Sequence, residues 1–487
     1  MSKDDQQLHP LIASFLSEIS KPETQSRQNA DHPSYWTSNP ASLLTTSNVH
    51  SVSLGTGNRI FETLLPTIES AQDEVLFVTC YWAQSDSLNR IGDSLRKLSA
   101  RNLATSPNKR IRVRICFSSS GVWQKLSHPQ SRQGRLYSPA EWSKTLGLPN
   151  PDELQGIDLQ VKSVFFLPIS IIHPKFVVVD RKLAFLPSCN VSWEEWLEGC
   201  VELSGQVVRA FVRFWEAFWA DGEDRGPGSG IAAGLGETIT TTIPSSSAPS
   251  PALLTHLPFP NNIQTQETTT LFIPSPHHRN PDFRPIPFQS PPLPPPTPLN
   301  TFLLLAFSQA KCKITIQTPN LTSQPAMEGL LAALGRGVEV SITTSENLQR
   351  MEQVVTAGTT TGRCIEHMVA KHKLMVEERK KRGQDVEEAH LPVGKLSVAY
   401  YTPHPRSESQ PQEMRLPDEP VQSHFKLTLI DDDAAVFGSG NLDRASWFTS
   451  QELGVAFFGR EVVGRVGEGL KGVMGGRNGR RRVVYEG

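Results

Sequence analysis

His173-Pro174-Lys175-Phe176-Val177-Val178-Val179-Asp180 and, 251 residues further on, His424-Phe425-Lys426-Leu427-Thr428-Leu429-Ile430-Asp431 share one pattern. After six more residues the first continues into Pro187-Ser188-Cys189-Asn190 and the second into Gly438-Ser439-Gly440-Asn441. At average residue usage the six fixed positions of the second copy arise by chance on the order of once in 10^8 start points. Two copies at one internal spacing therefore predict two copies of one structural unit.

The residue types indicate phosphate chemistry. In His-x-Lys the strand period of two puts both side chains on one face and turns Pro174 or Phe425 to the other. An imidazole, nucleophilic at neutral pH, then shares its surroundings with an ammonium that brings positive charge and three donors. The Ser hydroxyl and Asn amide on the following turn add neutral donors. Two copies supply two histidines, so that one can attack phosphorus while the other protonates the leaving oxygen, a division of labour that needs neither metal nor cofactor.

At these residues the chain resembles the phospholipase D superfamily, whose HKD motif has this spacing. The second copy matches throughout, and the first has Pro187 where the family usually has glycine. Proline lacks an N–H and fixes φ near −65°, so an altered first half-site is expected. The resemblance implies an α/β fold of two similar α-β-α sandwich lobes with mixed sheets, related by a pseudo-two-fold axis. It implies His173, Lys175, Asp180, His424, Lys426 and Asp431 as catalytic residues, and Ser188, Asn190, Ser439 and Asn441 as phosphate-binding residues. It further implies that an acidic residue just downstream orients each imidazole. Glu202, 29 residues after His173, and Glu452, 28 after His424, are the candidates. Asp180 and Asp431 end apolar strands, where a structural role in bonding backbone amides of a turn is also expected.

The flanks repeat as well. Phe61-Glu62-Thr63-Leu64-Leu65 precedes Glu74-Val75-Leu76-Phe77-Val78-Thr79, and Phe302-Leu303-Leu304-Leu305 precedes Ile314-Thr315-Ile316-Gln317, each reading as a helix leading into a buried strand. Composition then divides the chain. Residues 1–50 read as a polar extension with one amphipathic stretch, 51–221 as the first lobe, and 222–299 as a Ser/Thr/Pro-rich disordered linker. Residues 300–475 read as the second lobe, with insertions at 363–388 and 404–420 expected to rim the site, and 476–487 as a basic tail. Trp193, Trp196, Trp215 and Trp219 could mark a lipid interface, but core packing is expected for most of them.

With 487 residues the chain can bury more than one core, and its net charge of −1 is unlike the basic excess of proteins devoted to nucleic acid. No stretch approaches the ~20 apolar residues of a membrane span. Six irregularly spaced cysteines predict reduced, buried thiols, and the first residues carry neither a signal nor a transit pattern, so an intracellular location, cytoplasmic or peripheral on a membrane, is expected. The expected substrate is a phospholipid, with water or an alcohol as acceptor and a phosphohistidine intermediate, as in hydrolases and cardiolipin-synthase-like transferases of the superfamily. A nuclease and a catalytically silent scaffold are the alternatives.

Overall fold

Strand Glu74–Tyr81 sends Val75 and Phe77 to one face and Leu76 and Val78 to the other, and these two sets enter separate hydrophobic cores. A strand buried on both faces needs cover on both, and the chain provides it. Helices Gly57–Glu69 and Asp86–Thr105 bring Ile60, Phe61, Leu64, Leu88, Ile91 and Leu95 to the first face. Helix Val207–Phe218 brings Phe211, Phe214 and Trp215 to the second. The computed structural model describes residues 8–28, 32–167, 170–221, 255–258, 267–276, 293–385, 392–403, 419–474 and 480–487.

The first sheet runs, edge to edge, through strands Arg135–Tyr137, Ile157–Ser163, Ile111–Ser119, Glu74–Tyr81, Phe176–Val179, Leu183–Pro187, Trp196–Ser204 and Leu44–Gly55. The second repeats this order with Arg481–Glu486, Leu396–Tyr401, Glu339–Thr344, Lys313–Gln317, Leu427–Ile430, Ala434–Gly438, Glu452–Phe458 and Thr268–Ser275. Both are parallel in their helix-connected part and antiparallel around the His-x-Lys strand, the mixed α/β architecture expected from the duplicated motifs. Leu44–Ser47 also pairs with Thr268–Leu271, which joins the two sheets through their last strands. Behind this seam Phe211 meets Phe272 edge-on at 5.1 Å, and one continuous core runs from the first lobe into the second.

Three boundaries differ from the compositional division. Thr268–Ser275, within the stretch read as linker, is a buried strand of the second sheet, because Leu271, Phe272 and Ile273 are apolar enough to pair with Glu452–Phe458. The strand Leu44–Gly55 crosses the boundary at 50, and before it helix Pro10–Ile19 buries Leu11, Ile12, Phe15 and Ile19. Phe15 packs edge-on against Phe302 of helix Pro298–Gln309 at 5.8 Å, so the amphipathic stretch has a partner in the second lobe. Full burial of one such ring contributes about 1.5–3 kcal/mol. The end of the basic tail is strand Arg481–Glu486, paired with Leu396–Tyr401. Residues 222–254, 277–292 and 404–418, which hold most of the linker and the polar-loop insertion, lie outside the described residues, whereas the charged insertion begins inside helix Thr361–Asp385.

Among the cysteines Cys80, Cys116, Cys189, Cys200 and Cys364 are buried thiols and Cys312 is exposed. Trp215 and Trp219 belong to the core, as expected. Trp193 does not: it is 61% exposed.

Candidate active site

The register of the central strands places both motifs at one end of the sheets. Val78 pairs with Phe176 near the end of its strand, so His173 and Lys175 lie at the carboxyl end of Glu74–Tyr81. Gln317 pairs with Leu427, which sets His424 and Lys426 beyond the equivalent strand of the second lobe. The two ends are then stitched together. The His173 N–H donates to Gln451 O and the Gln451 N–H to Ile171 O, both at 2.9 Å. In the other half-site Gln422–Ser423 runs parallel to Trp196–Leu197, and the His424 N–H donates to Leu197 O at 2.9 Å. Phe425 lies so close to Gly199 that a Cβ there would stand 2.2 Å from its ring, so this crossing needs glycine.

Each histidine is thus backed by the residue that precedes a glutamate of the opposite lobe, and each takes that glutamate as partner. His173 Nδ1 donates to the Glu452 carboxylate at 2.9 and 3.0 Å, and His424 Nδ1 donates to Glu198 Oε1 at 2.7 Å. Ser439 and Ser446 donate to Glu452, and Ser188 to Glu198. A carboxylate on Nδ1 leaves the lone pair on Nε2, the atom free to attack or to carry a proton.

Glu452 occupies the expected position, but Glu202 does not: its carboxylate accepts from Ser51 Oγ at 2.9 Å, and Glu198 takes its place. The reason is register. Gly438 pairs with Gly454, and Pro187 pairs with Cys200; two residues before each partner stand Glu452 and Glu198. The connection in the second lobe is three residues longer, making room for the short helix Arg444–Phe448, so the working glutamate stands 28 residues after His424 but 25 after His173, and Glu202 lies four residues further along the same strand. Counting back from the strand paired with Pro187 would have found Glu198; counting from His173 could not.

The remaining motif residues divide between site and scaffold. Lys175 and Lys426 are buried, and each ammonium donates to the carbonyl of its own motif histidine, at 3.0 and 2.7 Å. Lys426 Nζ also lies 2.9 Å from Nδ1 and 3.0 Å from Nε2 of His424. Asn190 Oδ1 accepts from the Tyr81 N–H at 3.3 Å, which leaves its NH2 group to donate. Asn441 Nδ2 donates to Asp443 Oδ2 at 2.9 Å. The Ser188 and Ser439 hydroxyls, expected to hold phosphate, instead hold the two glutamates. Asp180 and Asp431 stand apart from the imidazoles. The Asp180 carboxylate accepts from the backbone N–H groups of Gln72, Asp73 and Glu74, and that of Asp431 from Lys311, Cys312 and Lys313. Both residues are left-handed, at φ 52° and 50°, and clamp the turn before the first central strand of their lobe. Pro187 leaves the backbone geometry intact. The Ser188 N–H reaches Gly199 O at 2.8 Å and the Ser439 N–H reaches Leu453 O at 2.9 Å.

Burial shapes the charges. It pushes the His424 imidazole down to about 4, with Lys426 acting in the same direction and Glu198 against it. His173 is lowered in the same way, by burial first, with Glu452 opposing and Lys175 reinforcing. Burial acts to raise the two carboxyls, yet His424 on Glu198 and His173 on Glu452 outweigh it and hold both below the ordinary value. Lys426 falls to about 7, chiefly through burial, with Lys175 adding to the shift. At neutral pH the site holds two carboxylates and two neutral imidazoles. The half-sites are unequal: the His173 side chain is 13% exposed and that of His424 2%. Trp196 tilts over the His424 ring at 4.9 Å.

Two repeated lobes thus meet at a seam to which each brings one imidazole backed by a carboxylate of the other. Residues 303–472 match the family described as cardiolipin synthase, PLD-like domain. That match lies within the second lobe, whose strand order the first lobe repeats. No curated protein matches it. Among solved structures it is similar to a phosphatidylserine synthase of Haemophilus influenzae, at 12% identity and TM-score 0.49 over 95% of this chain and 92% of that one. It is also similar to Nuc, a phospholipase D family member of Salmonella typhimurium, at 17% identity and TM-score 0.25 over 38% of this chain and 88% of that one. No helix among the described residues is long and apolar enough to cross a membrane.

Proposed function

We propose that this chain is a phosphodiesterase or phosphatidyltransferase acting on phospholipid head groups. The observation that carries the reading is the pair of buried imidazoles, each fixed through Nδ1 by a carboxylate of the opposite lobe, with Lys175 and Lys426 beside them. The phospholipid class of substrate is supported by the family description over residues 303–472.

In the first step His173 Nε2 attacks phosphorus, an N–P bond forms, and the P–O bond to the head-group alcohol breaks as that oxygen takes a proton that the Lys426 ammonium passes through His424 Nε2. Lys426, 3.0 Å from that nitrogen, shares and replaces the proton, so the two groups titrate as a pair. In the second step water or another alcohol gives its proton back to His424 and attacks phosphorus, and the bond to His173 breaks. Two inversions give net retention. Lys175 and the Asn190 amide hold the non-bridging oxygens.

The test is mass spectrometry of lipids after incubation of the protein with phosphatidylglycerol and phosphatidylcholine vesicles and excess glycerol. Phosphatidic acid, exchanged head groups or cardiolipin, absent with His424→Ala, is the expected result. Turnover of DNA or RNA but of neither lipid would overturn it.

The mechanism also has a pH signature. The His424–Lys426 pair holds its transferable proton between about pH 4 and about pH 7. A plot of kcat/KM, which reports the free enzyme, is expected to decline above about pH 7 and to peak on the acid side of neutrality. Lys426→Arg, which keeps the charge but does not release a proton, should remove that alkaline decline and lower kcat more than it raises KM. A flat wild-type profile from pH 6 to 9 would contradict the assignment.

A further inference from the structure

The carboxyl ends of strands Ile111–Ser119 and Glu339–Thr344, which stand one strand away from the motif strands at equivalent places in the two lobes, each lead into a helix whose apolar side chains face solvent. In the first lobe this is Val122–Leu126, with Val122 70%, Trp123 85% and Leu126 58% exposed. In the second it is Arg350–Ala357, with Met351 78% and Val355 62% exposed. Both helices stand on the end of the sheets that carries His173 and His424, as the register requires. The two half-sites are stitched together at that end, by the His173 N–H to Gln451 O and the His424 N–H to Leu197 O, so both helices border one site.

Exposed Trp, Leu, Val and Met side chains on both sides of a site mouth are not explained by folding, since none is buried in the chain. Their surroundings indicate the occupant. From Ser120 to Tyr137 the chain carries Lys125, Arg132 and Arg135 and no Asp or Glu. Arg135 is paired with Glu141, whereas apolar side chains, a tryptophan and the cations Lys125 and Arg132 on a stretch without acidic residues are the chemistry of a segment that lies in the interfacial layer of an anionic bilayer. We propose that this rim, formed by Val122–Leu126 and Arg350–Ala357, seats the protein on the surface of an anionic phospholipid bilayer and so opens the site directly onto the head-group layer. The inference rests on the phospholipid reading of the site and adds where the lipid enters.

The experiment uses the full chain and vesicles of phosphatidylcholine with phosphatidylglycerol, and compares wild type with Trp123→Gln and with the triple variant Trp123→Gln, Met351→Gln, Val355→Gln. Co-sedimentation with vesicles is expected to fall by roughly tenfold or more in the triple variant. Hydrolysis of a short-chain phospholipid below its critical micelle concentration should stay within about twofold of wild type, as these side chains are exposed and outside the reacting cluster. Quenching of tryptophan fluorescence by lipids brominated on the acyl chains should drop with Trp123→Gln alone. Undiminished vesicle binding and quenching in the variants would overturn the proposal. So would a wild-type dimer that the same substitutions dissolve, since the rim would then be a protein interface. Rim-dependent vesicle binding without turnover of any phospholipid would leave the docking surface standing and refute the catalytic reading instead.

Discussion

His424→Ala is expected to reduce turnover of natural phospholipids by about 10^4-fold or more, because removing a member of a unit that acts together removes most of its contribution. With a p-nitrophenyl phosphodiester, whose leaving group needs no proton, the same variant should still react once and stop. The second step lacks its base, so the phosphoryl adduct accumulates on His173 and is read as a mass increment on the peptide containing residue 173. His173→Ala should form no adduct with either substrate. The direction of this asymmetry follows from the unequal half-sites. His173 is the more exposed imidazole, whereas His424 lies under Trp196 with the Lys426 ammonium 3.0 Å from its Nε2, a placement suited to proton exchange and obstructive to attack. An adduct on His424 in the His173→Ala variant would reverse the roles.

Glu198→Gln is expected to lower kcat by roughly 10^2- to 10^4-fold, the range found when the carboxylate behind a catalytic histidine is neutralised and the tautomer is no longer enforced. Glu202→Gln should stay within a few-fold of wild type, since it loses one hydrogen bond, to Ser51, on the same strand but away from His424. Glu452→Gln should match Glu198→Gln, through His173. Steady-state kinetics on the three variants, with thermal midpoints to confirm folding, check this. Comparable losses in Glu202→Gln and Glu198→Gln would sink the assignment. The carboxylates also bear on stability. The His424 imidazole titrates at about 4 in the folded chain against 6.5 unfolded, so between those values the unfolded chain binds more protons and acidification through that window destabilises the fold.

Much of this was legible in local pattern. Strand alternation put His and Lys of each motif on one face, the repeated flanks placed a helix and a buried strand before each motif, and the strand-ending position of Asp180 and Asp431 pointed to the backbone-amide role they fill. What composition misjudged were segments whose partners are distant in sequence. Helix Pro10–Ile19 finds Phe302, strand Thr268–Ser275 finds Glu452–Phe458, and strand Arg481–Glu486 finds Leu396–Tyr401. Short polar surroundings hide such pairings, because a strand's stabilisation comes from its neighbours and burial more than from its own propensity.

The amino-acid sequence by itself determined that the chain is built from two copies of one α/β unit and that each brings an imidazole and an ammonium, the residue types on which the proposed phosphate chemistry rests. Those properties are encoded in residue type and short-range spacing. The tertiary structure alone decided which carboxylate stands behind which histidine, that the pairs cross between lobes, and that the motif serines serve the glutamates. A hydrogen bond depends on distance in space, and a connection three residues shorter in the first lobe puts the working carboxylate at Glu198, four residues before Glu202.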